Sequence, residues 1–122
     1  MTIDLMDSVL TGLIIMIALL HVYFMVLEMF LWTKPPGRRI FRLSEEQAQQ
    51  TQRLAANQGL YNGFLAAGLI WSAISAEFLV PLFFLICVFI AGVFGALTVS
   101  RKIFWVQALP AMLALILLFQ ID

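Results

Sequence analysis

Few of the 122 residues can do acid–base or binding chemistry, and most of those lie at one depth of the chain. Glu28 stands inside a long apolar run. A carboxylate near the hydrocarbon of a membrane is penalised by roughly 2.5–3.5 kcal/mol on insertion scales, somewhat less near the interface. It is kept there only if paired, hydrogen-bonded or protonated, and such a group suits proton exchange or cation binding. His21 lies seven residues before Glu28 and Trp32 four after, so the three share one helix face. Phe24 and Met25 fill the turn between His21 and Glu28, and neither can hydrogen-bond the carboxylate. His21 and Glu28 are about 10 Å apart along a helix, too far to share a metal ion. Cys87 is the sole cysteine, so no metal site and no internal disulfide are expected.

A second group opens a later apolar run: Asn57, Gln58, Tyr61 and Asn62, with Gln107 one turn into the last run. With His21, Glu28 and Trp32 they form the candidate ligand-binding set. These groups lie at similar depth on the side of the basic connections, whereas the opposite half offers only Thr11, Ser72 and Ser75. A polar vestibule opening to the cytoplasm is the expectation. Two readings stay open. In one, Glu28 exchanges protons or meets a ligand, and His21 relays through Tyr61 or Gln107. In the other, Asn62, Gln58 or Arg39 clamps Glu28, His21 is bonded across the bundle, and the amides are interhelical glue worth ~0.6–2 kcal/mol each.

What is absent narrows the chemistry. There is no Ser/His/Asp set with an acid in reach, no His/Cys cluster, no phosphate-cradling glycine loop and no haem-type histidine pair. Standard hydrolytic or redox chemistry is disfavoured, and no cofactor is implied. No basic run is long enough to suggest a nucleic-acid partner.

The elements that must position these residues follow from composition. The chain is 63% hydrophobic and 11% charged, with mean hydropathy +1.02 and no net charge. A soluble domain has about 25% charged residues, so the apolar excess here must face lipid. Four apolar runs stand out, from about Ser8 to Trp32, Gln58 to Ser75, Phe78 to Val99 and Ile103 to Phe119. Each approaches the ~20 residues that cross a bilayer as helix. Short connections at Glu77 and at Arg101-Lys102 make consecutive spans antiparallel, giving an all-α, four-transmembrane-helix up-down bundle. Residues 1–122 are read as one integral membrane domain.

Lys34-Pro35-Pro36-Gly37 ends the first helix. Ser44-Glu45-Glu46-Gln47 fits a capping box, which predicts an interfacial helix from about Glu45 that runs towards or directly into the second span. Ile40, Phe41 and Leu43 are placed at the headgroups. Gly59, Gly63 and Ala67 form a small-residue stripe for close helix approach, as do Ala91, Gly95 and Gly92, Ala96. Pro110 is expected to kink the last helix.

All seven basic residues fall in two connections: Lys34, Arg38, Arg39, Arg42 and Arg53 in one, Arg101 and Lys102 in the other. The opposite side holds Asp4, Asp7, Glu77 and Asp122. The positive-inside rule puts both basic connections in the cytoplasm and both termini outside. The acidic first residues lack the positive start of a signal peptide, so the first run is read as a retained helix.

The segments His21-Val22-Tyr23-Phe24-Met25-Val26-Leu27-Glu28-Met29-Phe30-Leu31-Trp32, Asn57-Gln58-Gly59-Leu60-Tyr61-Asn62-Gly63-Phe64-Leu65-Ala66 and Val106-Gln107-Ala108-Leu109-Pro110-Ala111 resemble one bacterial family of small integral membrane proteins, domain-of-unknown-function family 1304. The likeness covers nearly the whole chain. It implies a bacterial inner-membrane location and four spans, and carries over no activity, cofactor or site residue.

Three functions compete on this reading. The first is binding of a small amphiphilic or lipid-like ligand, with or without chemistry on it, at a cytoplasm-facing pocket centred on Glu28. The second is a small proton-coupled transporter, which the complete charge bias restricts to a parallel homo-oligomer. The third is a structural or regulatory subunit docking through its small-residue faces.

Overall fold

The computed structural model describes residues 2–121, and every regular element among them is helical. There are five helices rather than four: α1 (Ile3–Met29), α2 (Pro35–Phe41), α3 (Glu45–Ile74), α4 (Leu79–Thr98) and α5 (Phe104–Ile121). Three of them, α1, α4 and α5, are long and apolar enough to cross a membrane. The fourth expected span, in α3, is not among them. The second apolar run is the latter part of a 30-residue helix, and Asn57, Gln58, Tyr61 and Asn62 dilute it. Fewer than a third of the residues in each of the three apolar helices are buried. Leu19, Phe30, Phe94 and Leu97 are all more than 60% exposed. Helices apolar all round in this way belong in lipid.

The additional helix is α2. Pro35 and Pro36 do stop α1, but they also occupy the first positions of a new helix, where a missing N–H costs nothing. Gly37 lets α2 fold back on the end of α1: a Cβ there would stand 2.1 Å from the Leu31 carbonyl oxygen. Arg42 closes α2 in the left-handed conformation (φ 55°), and the N–H groups of Arg42 and Leu43 both donate to the Arg38 carbonyl. The capping box then opens α3. The Gln47 N–H donates to Ser44 Oγ (3.1 Å), and the Ser44 N–H donates to Gln47 Oε1 (3.0 Å). From that cap α3 runs without interruption into the apolar stretch, as the sequence allowed, and the separate short helix of this connection is α2.

The chain clusters into two compact units, one holding residues up to Ala18 and from Ala67 onward, the other Leu19–Ala66. In the first, Leu10, Ile14, Ile17 and Ala18 of α1, Leu69 of α3, Leu85 and Val88 of α4, and Ala111, Ala114 and Leu118 of α5 form the core. Burial from lipid brings no hydrophobic gain, so stability must come from close packing. Two α4 glycines supply it. A Cβ on Gly92 would stand 2.5 Å from the Ala108 nitrogen, and one on Gly95 would stand 2.9 Å from Ile103 Cγ2. Ala91, by contrast, is exposed.

Just before Pro110, where a kink is expected from the sequence, the helix changes its winding. Residues Phe104–Ala108 make a π turn, closed by the Leu109 N–H on the Phe104 carbonyl. A proline ring collides with the carbonyl four residues back, here that of Val106, and widening the turn relieves it. Ser72, buried in this unit, donates to the Gly68 carbonyl of its own helix (2.8 Å).

Candidate functional site

The second unit is built on the antiparallel approach of α1 and α3. Its ladder reads Met25 against Gly63, Glu28 and Met29 against Gly59, and Trp32 against Thr51. A Cβ on Gly59 would come within 2.6 Å of Met29 Cγ and 3.0 Å of Glu28 Cβ. The third member of the expected stripe, Ala67, is exposed, while Ala66 is buried. Within this unit the buried residues of α3 are Ala48, Ala55, Gly59, Asn62 and Ala66, separated by seven, four, three and four as in a coiled-coil seam. Asn62 is the polar member of that seam.

Asn62 donates its side-chain amide to Glu28 Oε1. The partner is neutral, so this bond orients the carboxylate without cancelling its charge. Glu28 also lines an open cleft of about 230 Å³, together with Met29, Trp32, Gln52, Arg53 and Ala56. The cleft carries an acid, a guanidinium and an amide on largely apolar walls. It can therefore offer an acceptor and a donor to one small polar group.

Trp32 lies beyond the end of α1, which closes at Met29 with the N–H groups of Phe30 and Leu31 on the Val26 carbonyl. It reaches the cleft from a turn and not from the helix face shared by His21 and Glu28. Its indole N–H donates to Thr51 Oγ1 (2.9 Å), and Thr51 passes its own proton to the Gln47 carbonyl (2.7 Å). The Phe41 ring of α2 lies 4.7 Å away, centre to centre. One side chain thus ties together the end of α1, α2 and the first turns of α3.

The other candidate residues are spread out. His21 is fully buried, edge-on to Phe24 at 5.6 Å. Asn57, Gln58 and Tyr61 are exposed on α3, whereas Asn62 is buried, and Tyr61 stands 54% exposed beside Phe64. Gln107 is half-buried within the π turn of the other unit. The cleft thus draws two residues, Glu28 and Trp32, from the candidate set, with Asn62 behind them. Gln52, Arg53 and Thr51 escaped the sequence reading. Continuity of α3 from Ser44 was the signal for them, because it carries that polar turn past the end of α1.

Together these elements define an all-helical protein with three helices suited to crossing a bilayer and a carboxylate-bearing cleft at the end of the first. The chain belongs to the protein-of-unknown-function family DUF1304, which it matches over residues 15–119. It is similar to the uncharacterized protein YpaA of Lactococcus lactis subsp. lactis (strain IL1403), with 34% identity over 106 residues, covering 84% of this chain and 89% of the relative. No solved structure matches it.

Proposed function

We propose that the protein is a multi-pass component of a bacterial inner membrane that binds a small amphiphile at the Glu28 cleft from the cytoplasmic side. The observation that carries this reading is the position of Glu28: held by a neutral amide at one oxygen and standing in the wall of an open cleft with Arg53. A purely structural clamp has no use for the cleft. The ligand's head presents a hydroxyl or ammonium donor to Glu28 and an acceptor to Arg53, while its apolar part lies along Met29 and Trp32.

The topology that serves this site has four crossings, with both termini outside. Parity of the basic connections supports it. If α1, α4 and α5 alone crossed, residues 34–42 and Arg101-Lys102 would lie on opposite faces, against the positive-inside bias. A crossing by the latter part of α3 returns both to the cytoplasm, and Phe64, Ile70, Trp71 and Ile74 are exposed there for lipid.

The test is infrared difference spectroscopy of the protein in lipid, with long-chain alcohols and long-chain amines as probes. A carboxyl band that shifts on adding either probe and is missing in Glu28→Gln supports ligand binding at this site. If neither probe moves a Glu28 band while Glu28→Gln unfolds the protein, the carboxylate is a clamp and the reading is overturned.

A further inference from the structure

The chain between Glu28 and Glu45 contains no acid, and four basic residues fall within nine positions: Lys34, Arg38, Arg39 and Arg42. All four belong to α2 or its caps. Gly37 packs α2 against the Leu31 backbone, and Phe41 rests on Trp32. The arginines are therefore carried by a docked element at the end of a membrane-capable helix. Ile40 beside them is 50% exposed, an apolar contact suited to the edge of the hydrocarbon.

A second open cleft, of about 270 Å³, lies here, lined by Pro35, Arg38, Arg39 and Leu43. It shares no lining residue with the Glu28 cleft. The Arg38 Nε is shut off from solvent and has no acceptor among the described residues. A ligand oxygen in the cleft can therefore meet this guanidinium only at its Nη groups. The paired N–H donors at the Nη end of a guanidinium match two oxygens of a phosphate, a match that a lysine cannot make.

We propose that this cleft holds the phosphate of an anionic phospholipid, with Arg38 engaging it through the Nη end of its guanidinium and Arg39 adding a second positive charge. A free phosphate offers the same oxygens. The membrane lipid is favoured because α2 sits at the end of a membrane-capable helix with Ile40 exposed beside the site. The site is independent of the Glu28 reading and stands or falls separately from it.

The experiment uses the full chain in a neutral detergent and measures its affinity for three probes: short-chain phosphatidylglycerol, short-chain phosphatidylcholine and inorganic phosphate. Phosphatidylglycerol is expected to bind at least about tenfold more tightly than either other probe. Arg38→Gln and Arg38→Lys are each expected to weaken it about tenfold or more, because lysine keeps the charge and loses the fork. Neutralising Arg101 and Lys102 together should change it less than about twofold. If Arg38→Gln does not fold, Arg39→Gln takes its place with an expected loss of several-fold. Equal binding of phosphatidylcholine, a wild-type affinity in Arg38→Lys, or an equal loss on removing Arg101 and Lys102 overturns the proposal. Inorganic phosphate binding as tightly as the lipid overturns the lipid as its source.

Discussion

The side-chain amide of Asn62 donates to the Glu28 carboxylate across 34 positions of sequence. It does so from the one polar position in a seam otherwise made of Ala48, Ala55, Gly59 and Ala66. A single polar residue in such a seam sets register, since sliding either helix by a turn strands both groups. The pair is therefore expected to couple energetically. In a double-mutant cycle of Asn62→Ala and Glu28→Ala, unfolding in mixed micelles should give a coupling of about 1–2 kcal/mol, in the range of charged and interhelical hydrogen bonds. A coupling near zero would show that the contact adds nothing to stability.

The glycines give a ranking that depends on what each one touches. A Cβ on Gly92 meets the backbone of Ala108 at 2.5 Å, which cannot yield without moving α5. A Cβ on Gly63 meets Met25 Sδ at 2.8 Å, the far part of a flexible side chain. Gly92→Ala should destabilise by about 1–3 kcal/mol through overpacking. Gly63→Ala should be neutral or slightly stabilising, since Ala is favoured over Gly in a helix by about 1 kcal/mol. Thermal unfolding of the two variants checks the order, and a reversal would mean that the α4–α5 approach is looser than the structure has it.

Trp32 should report on the first turns of α3. Thr51→Val removes the acceptor of its indole N–H and the hydroxyl bond to the Gln47 carbonyl while keeping the shape of the side chain. With Trp71 and Trp105 replaced by Phe, the remaining emission is that of Trp32. It should shift in wavelength in Thr51→Val, and amides near Gln47 should exchange faster. Loss of the bond costs roughly 0.5–1.5 kcal/mol, plus the unpaired indole. An unchanged spectrum would show that the Phe41 stacking alone holds the ring.

Much of this was legible because the signals are local. Three apolar runs became α1, α4 and α5 with ends shifted by a few residues, and Ser44 with Gln47 marked the start of α3. Asn62 was one of three partners the sequence allowed for Glu28. What escaped depended on register and on the double meaning of a residue. Pro35-Pro36 was read as a stop when it is also a start. The four amide and phenol groups of residues 57–62 looked like one polar face at a spacing of four. The helix buries Ala55, Gly59, Asn62 and Ala66 at alternating steps of four and three, which takes in Asn62 and leaves Asn57, Gln58 and Tyr61 exposed. Arg53 reached the cleft only because α3 is continuous, a property that hydropathy alone does not reveal.

The topology makes the sharpest prediction, because one residue tests parity. Cys87 is the sole cysteine, so Cys87→Ala gives a background for single cysteines at Ser8, Gln49, Ala76 and Ser100. Ala76 and Ser100 lie outside the helices, Gln49 lies in the polar first turns of α3, and Ser8 lies in the second turn of α1. With four crossings, a membrane-impermeant maleimide added to intact spheroplasts should label Ser8→Cys and Ala76→Cys at least about tenfold faster than the other two. Opening the membrane should then release labelling at Gln49→Cys and Ser100→Cys. If α3 does not cross, Ala76→Cys stays protected with Gln49→Cys, and Ser100→Cys becomes the labelled position. That outcome would separate Arg101-Lys102 from the basic segment of α2 and remove the cytoplasmic assignment shared by the two connections. The positive-inside bias acts through both connections together. Moving the two charges of Arg101-Lys102 to the neighbourhood of Glu77 should therefore produce mixed labelling at Ala76→Cys and Ser100→Cys, with each position reached in only part of the population.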